Sequence, residues 1–146
     1  MKKYLFLALV LMGFVSCEEV NVDTLMDVPY INFYDDVATA EAAGAEEFII
    51  PVESTGINAV TVSNEDSVLD YWSEESKTGS NAVDGSWIEI VEVIEFYDSE
   101  TRALIGFDSA IVVRIKANDT GMERKVTLTA NSFTKSDTIT ITQLAE

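Results

Sequence analysis

The chain has 146 residues, with 26 Asp plus Glu against 9 Lys plus Arg, one cysteine and no histidine, for a formal charge of −17. That length suits a single domain able to bury a core without disulfides, and the sign of the charge repels phosphate backbones, which excludes nucleic acid and disfavours sulfated or sialylated polymers. With no imidazole and no second thiol, His-paired nucleophiles and His or thiolate metal sites cannot be built; a carboxylate pair of glycosidase type could be, but 26 acids make chance pairs common. The chain is expected to be non-catalytic, with no cofactor and no resident metal.

Residues 1–16 read as a signal peptide. Lys2 and Lys3 precede an uncharged run from Tyr4 to Val15, which is too short for a stable transmembrane helix of about 20 residues but suits a signal-peptide core. The stretch "FVSC" that follows resembles a bacterial lipobox, with Phe14 where Leu is usual and Ser16 where Gly or Ala is usual. On that resemblance Cys17 is the lipid-attachment residue, and its several acyl chains hold the protein durably on a membrane. The competing reading is an ordinary secretory peptide with an incidental cysteine. The placement of the sole cysteine at the end of the apolar core favours the lipobox. Glu18 and Glu19 resemble the acidic signal by which Bacteroidetes send lipoproteins to the outer face of the outer membrane, although charges in a solvated tether would look the same. Residues 17–28 are expected to be a lipidated tether, standing the domain off by roughly 20 Å if it is a flexible coil.

Residues 29–146 form the domain, and β patterning dominates it. Ile31 and Phe33 alternate with polar neighbours, and the alanine-rich stretch around Gly44 suits a loop. Phe48, Ile50 and Val52 alternate in the next strand, where Pro51 predicts an edge position. Val60 and Val62 follow the turn at residues 54–56. In "GSWIEIVEVIEFYD" the apolar phase changes, which predicts a bulge near Val91. Alternation is clearest at Ile111, Val113 and Ile115, then at Val126, Leu128 and Ala130, then at Ile139 and Ile141. About seven short strands with no amphipathic helix of credible length specify an all-β protein, an immunoglobulin-like antiparallel β-sandwich.

"WIEI" at 87–90, "IVVRIKANDTGMERKVTLTA" at 111–130 and "DTITITQ" at 137–143 resemble the BACON domain, a Bacteroidetes-associated immunoglobulin-like module. "YINFYDDVATAEAAGAEEFIIPVES" is similar to its opening hairpin. The resemblance spans about residues 29–143, with expanded middles at 63–85 and 97–109. It implies a surface module associated with polysaccharide handling, proposed for the family to bind carbohydrate or mucin and in many members to act as a spacer. With one domain expected, a spacer role is not expected.

A carbohydrate site needs an aromatic plane for the sugar's C–H face and polar groups for its hydroxyls. Asp70, Tyr71, Trp72 and Glu74, with Glu75 beside them, supply both in the expanded middle, and they are the expected ligand patch. Against this, tryptophans are highly buried on average, and Trp72 could plug the end of the core. Trp87 sits at the family's core position. Asp35, Asp36 and the Asp98–Glu100 stretch have oxygen ligands suited to calcium but no spacing of a known loop, so solvated charges are the better reading. Asp-Ser/Thr-apolar triplets at 23–25, 66–68, 108–110 and 137–139 resemble the Bacteroidetes O-glycosylation sequon, with Thr24, in the tether, expected to be the accessible one. The expectation is a lipid-anchored outer-membrane surface protein that binds polysaccharide or glycan. The alternative is an adhesin-type or structural module with an envelope protein partner.

Overall fold

The computed structural model describes residues 28–76, 81–97 and 99–146. The signal peptide, Cys17, Glu18, Glu19, Thr24 and nearly all of the tether lie outside the described residues, as does Asp98.

Among the described residues, nine strands run in the order β1 (Ile31–Phe33), β2 (Val37–Ala40), β3 (Ala45–Ser54), β4 (Ala59–Ser63), β5 (Val68–Ser73), β6 (Ile88–Glu95), β7 (Ser109–Ile115), β8 (Arg124–Ser132) and β9 (Lys135–Gln143), with one short helix, α1 (Ser99–Ile105), between β6 and β7. They form two packed sheets, ordered β1-β3-β7-β6 and β2-β9-β8-β4-β5. The fold is the expected β-sandwich, with nine strands rather than about seven. Its core is the set of alternating inward residues from both sheets. Val52, Val60, Val62, Ile88, Ile90, Ile111, Val113, Leu128 and Ile141 are fully shielded from solvent, each contributing about 1.5–3 kcal/mol by burial.

Two expectations are corrected. The stretch 37–40 is not loop: Val37–Ala40 is a strand that pairs parallel with β9, from Val37 opposite Thr140 to Ala40 opposite Gln143, so one pair in the sandwich is parallel. Pro51 does not make β3 an edge strand, because β3 lies between β1 and β7. The proline is tolerated because β1 ends with Phe33 opposite Val52; at Pro51 a neighbour remains only on the β7 side, opposite Ala110, and no ladder bond is asked of the missing N–H. The second expanded middle carries α1. Gly106 (φ 82°) ends it, its N–H bonding to Arg102 O at 2.9 Å, and the Phe96 and Phe107 rings close the loop's base edge to face at 5.8 Å. The bulge expected near Val91 is present as a register shift between Ile90 and Glu92.

Gly44 turns β2 into β3 with φ 76°. A Cβ there would lie 2.2 Å from Ile115 O, so both the left-handed backbone and the contact with the end of β7 require glycine.

Candidate functional site

Side-chain carboxylates join the two sheets along both flanks. On one flank the Asp70 carboxylate of β5 is 1% exposed; Oδ2 accepts the Ile90 N–H of β6 at 2.6 Å, and Oδ1 accepts the Tyr71 N–H at 2.7 Å. The bonded Ile90 N–H sits beside the bulge, where the ladder to β7 is interrupted. On the opposite flank Asp137 Oδ2 of β9 accepts the Phe33 N–H of β1 at 2.8 Å.

Beyond the Asp70 bond the facing edges of β5 and β6 line a cleft of about 380 Å3, formed by Ile57, Trp72, Glu74, Val91, Glu92, Val93, Glu95 and Tyr97. Strand alternation decides what enters it. Trp72 lies opposite Val60 and Asp70 opposite Val62, both inward positions, so Trp72 faces the interior, partly buried and packed on the core. Tyr71, one residue away, must then face out from the other side of the sheet, and it is 42% exposed. Glu95 is anchored twice: Oε1 accepts the Ile57 N–H at 2.6 Å, and Oε2 accepts the Tyr97 hydroxyl. That hydroxyl bond is the largest cause of a Tyr97 pKa above the ordinary phenol value, with the Glu95 charge second. Tyr97 itself is 83% exposed, a ring in solvent at the cleft mouth. A smaller cavity of about 260 Å3 adjoins, sharing Glu95 and Tyr97 and reaching Tyr30 and Asp108. There Tyr30 donates to Asp108 Oδ2 at 3.2 Å, and its phenol pKa is raised by burial first and by Asp108 next.

The expected patch is therefore divided. Trp72 and Glu74 line the cleft, Tyr71 lies on the opposite face, and Asp70 is spent inside the sandwich, where its oxygens hold backbone. Tyr97, Glu92 and Glu95 complete the cleft from twenty or more residues downstream. Their only sequence signal was the phase change at Val91, which turns this half of β6. Asp35 and Asp36 are exposed, and among the described residues no three His, Cys, Asp or Glu cluster as a metal site requires. Accessibility does not single out Thr24: Ser109 is buried, but Ser67 and Thr138 are both exposed.

At the other end of the sandwich the motifs that carried the resemblance converge. Gln143, fully buried, donates from Nε2 to Glu41 O, Ala42 O and Lys116 O at 2.9–3.2 Å, and its Oε1 accepts Arg124 Nε at 2.9 Å. The Arg124 guanidinium lies 4.4 Å above the Trp87 ring and reaches Lys116 O and Ala117 O. Burial lowers its pKa. Asn118, also buried, bonds from Nδ2 to Met122 O and Leu144 O, while its N–H bonds to Ala42 O. Trp, Asn and Gln thus form one structural lock. None of them lines the cleft.

No curated protein matches the chain. An NMR structure of a protein from Bacteroides thetaiotaomicron aligns over 80% of this chain and 87% of its own, at 16% identity and a TM-score of 0.47. The BACON family, described as "Putative binding domain, N-terminal", matches residues 70–144. That span opens at the Asp70 bond between the sheets and takes in Trp87, Asn118 and Gln143, and the chain belongs to this family.

Proposed function

We propose that the protein is a non-catalytic surface module that holds a glycan in the Trp72–Tyr97 cleft and is displayed on the outer membrane through lipid on Cys17. The observation that carries the reading is the cleft's lining: Trp72 and Tyr97 offer aromatic surface for sugar C–H faces, and Glu74, Glu92 and Glu95 offer acceptors for hydroxyls. The same carboxylates repel anionic polymers, which leaves uncharged polysaccharide as the ligand class.

Affinity electrophoresis in gels cast with neutral plant and host polysaccharides tests this. Wild type is expected to be retarded in at least one of them. Tyr97→Ala, at an exposed position that contributes little to packing, should weaken binding about tenfold with thermal stability unchanged. Trp72→Ala should weaken it further and also destabilise the fold, since Trp72 packs on the core. No retardation in any gel, or full retardation of Tyr97→Ala, defeats the assignment of the cleft.

The anchor has its own measurement. Cys17→Ser should move the protein from the membrane fraction to the soluble fraction and remove fatty-acid labelling. Retention of the label sinks the lipobox reading.

A further inference from the structure

β2 ends the five-stranded sheet, and its outer side is open. Thr140 donates its N–H to Asp36 O at 2.9 Å and Leu144 donates to Ala40 O at 3.0 Å, so the even-numbered residues of this segment turn their backbone groups toward β9. Strand alternation then points the N–H and C=O of Val37 and Thr39 the other way. Among the described residues no strand pairs with that side and no hydrogen bond reaches those groups. Across the seam β3 has an open edge of its own. Thr55 donates to Tyr30 O, which sets the odd-numbered residues of β3 toward β1, but β1 stops opposite Val52. The backbone N–H and C=O of Ile49 and the C=O of Pro51 therefore face the seam with no strand beside them. Between the two edges lies a cleft of about 290 Å3, its walls including Val37, Ala38, Phe48, Ile49 and Ile139. Ala38 and Phe48 pack on the core, whereas Val37 and Ile49 are 54% and 56% exposed.

We infer that this seam is a β-augmentation site, where an extended segment of a partner protein adds as a strand beside β2, with apolar side chains entering the cleft and Lys or Arg at its ends. The backbone selects a polypeptide. Donors and acceptors that recur along a strand edge every two residues, about 6.8 Å, are matched by another extended backbone and not by a sugar chain. Pro51 takes a donor from the β3 edge, so β2 is the edge that receives the strand. Alternate residues of the added strand point into the cleft, and its walls require those to be apolar. Charge selects the flanks. Asp35 lines the cleft and no Lys or Arg does; Asp36, Glu41 and Glu47 are exposed along the chain on either side of it. Arg114, which reaches Glu46 of β3, is shared with Glu89. The same charge disfavours the occupants nearest to hand. A second copy of this chain carries −17, and residues 18–27 hold Glu18, Glu19, Asp23 and Asp27 with no Lys or Arg. The seam lies on the β1–β2 flank, away from the cleft between β5 and β6, so filling one site leaves the other open.

Selection of a phage-displayed library of random peptides on the immobilised full chain, in neutral detergent, tests this. Enriched peptides should alternate apolar residues between Lys or Arg flanks. The best of them, made synthetically, should slow amide hydrogen exchange at Val37 and Thr39. Methylating its alternate backbone nitrogens removes the donors that face β2 and should weaken it about tenfold or more. Thr39→Pro deletes an outward N–H without touching the ladder to β9, and should weaken the peptide about tenfold with the fold retained. Val37→Lys, at an exposed position, sets a cation against the basic flanks and should also weaken it; this variant covers the case in which Thr39→Pro fails to fold. No enrichment, enrichment of acidic peptides, or a bound peptide indifferent to methylation, Thr39→Pro and Val37→Lys overturns the inference. If the wild type instead forms a dimer that Thr39→Pro dissolves, the occupant is a second copy and the basic partner is excluded.

Discussion

Asp70→Ala should lower the unfolding free energy by about 3 kcal/mol, seen as a lower denaturant midpoint at unchanged m-value. The loss comes from the donors left behind. The Ile90 N–H is buried at the junction of the two sheet edges, and its acceptor at 2.6 Å is the Asp70 carboxylate. Removing that carboxylate leaves a buried donor unpaired, and it also strips the Tyr71 N–H of its acceptor. Relief of the buried charge's desolvation offsets part of this, which keeps the expected loss below the sum of the two charge-assisted bonds. Asp70→Asn keeps an oxygen toward Ile90 and should lose about 1 kcal/mol. Glycan retardation of Asp70→Asn should match wild type, because the carboxylate does not line the cleft. The opposite pattern, stability kept and binding lost in Asp70→Asn, would return Asp70 to the ligand site where the sequence reading put it.

The division of that patch shows what a linear pattern conveys and what it omits. Asp70, Tyr71 and Trp72 are adjacent in sequence, and adjacency made them look like one patch. Once β5 is known to be a strand, its period of two separates Tyr71 from its neighbours, a step that could have been taken from sequence. The role of Asp70 could not, because it depends on β6 of the other sheet lying across the edge of β5, a contact made over 20 residues of chain. The acids as a class were unreadable for the same reason. Asp70, Asp137, Asp108 and Glu95 each accept a backbone N–H from a distant segment, while Glu65, Asp66 and Glu75 are exposed. Nothing in their immediate sequence distinguishes the two groups.

β8 was legible because burial on one face writes itself as alternation, at Val126, Leu128 and Ala130, whereas β7, with Ala110 and Val112 buried beside Ile111, Val113 and Ile115, was legible as an apolar run broken only by Arg114. β2 was not. Its two inward residues are alanines, Ala38 and Ala40, too small to mark an apolar face, and its pairing with β9 is parallel and distant. Pro51 misled because the rule it invoked concerns the ladder bond at one residue, whereas the inference drawn from it concerned the whole strand.

Gln143→Ala should cost about 4 kcal/mol, the larger of the two effects. The reason is the number of partners one amide serves. Its Nε2 meets three carbonyls, from the β2–β3 turn and the end of β7, and its Oε1 fixes the guanidinium that covers Trp87. Alanine would leave the turn carbonyls and Arg124 Nε without this partner and open a cavity where a fully buried side chain stood. Gln143→Glu separates donor loss from lost volume. It keeps the shape but replaces the amide donor with an oxygen facing three carbonyl oxygens, so it should destabilise at least as much as alanine despite the retained oxygen toward Arg124. If Gln143→Glu is instead milder, the Arg124–Trp87 stack dominates the lock and the turn carbonyls are satisfied by water. In either outcome glycan retardation of the folded fraction should be unchanged, because the lock and the cleft sit at opposite ends of β6, at Trp87 and at Val91–Tyr97. The Trp87, Asn118 and Gln143 lock thus holds one end of the sandwich shut, and the cleft residues at the other end take no part in it.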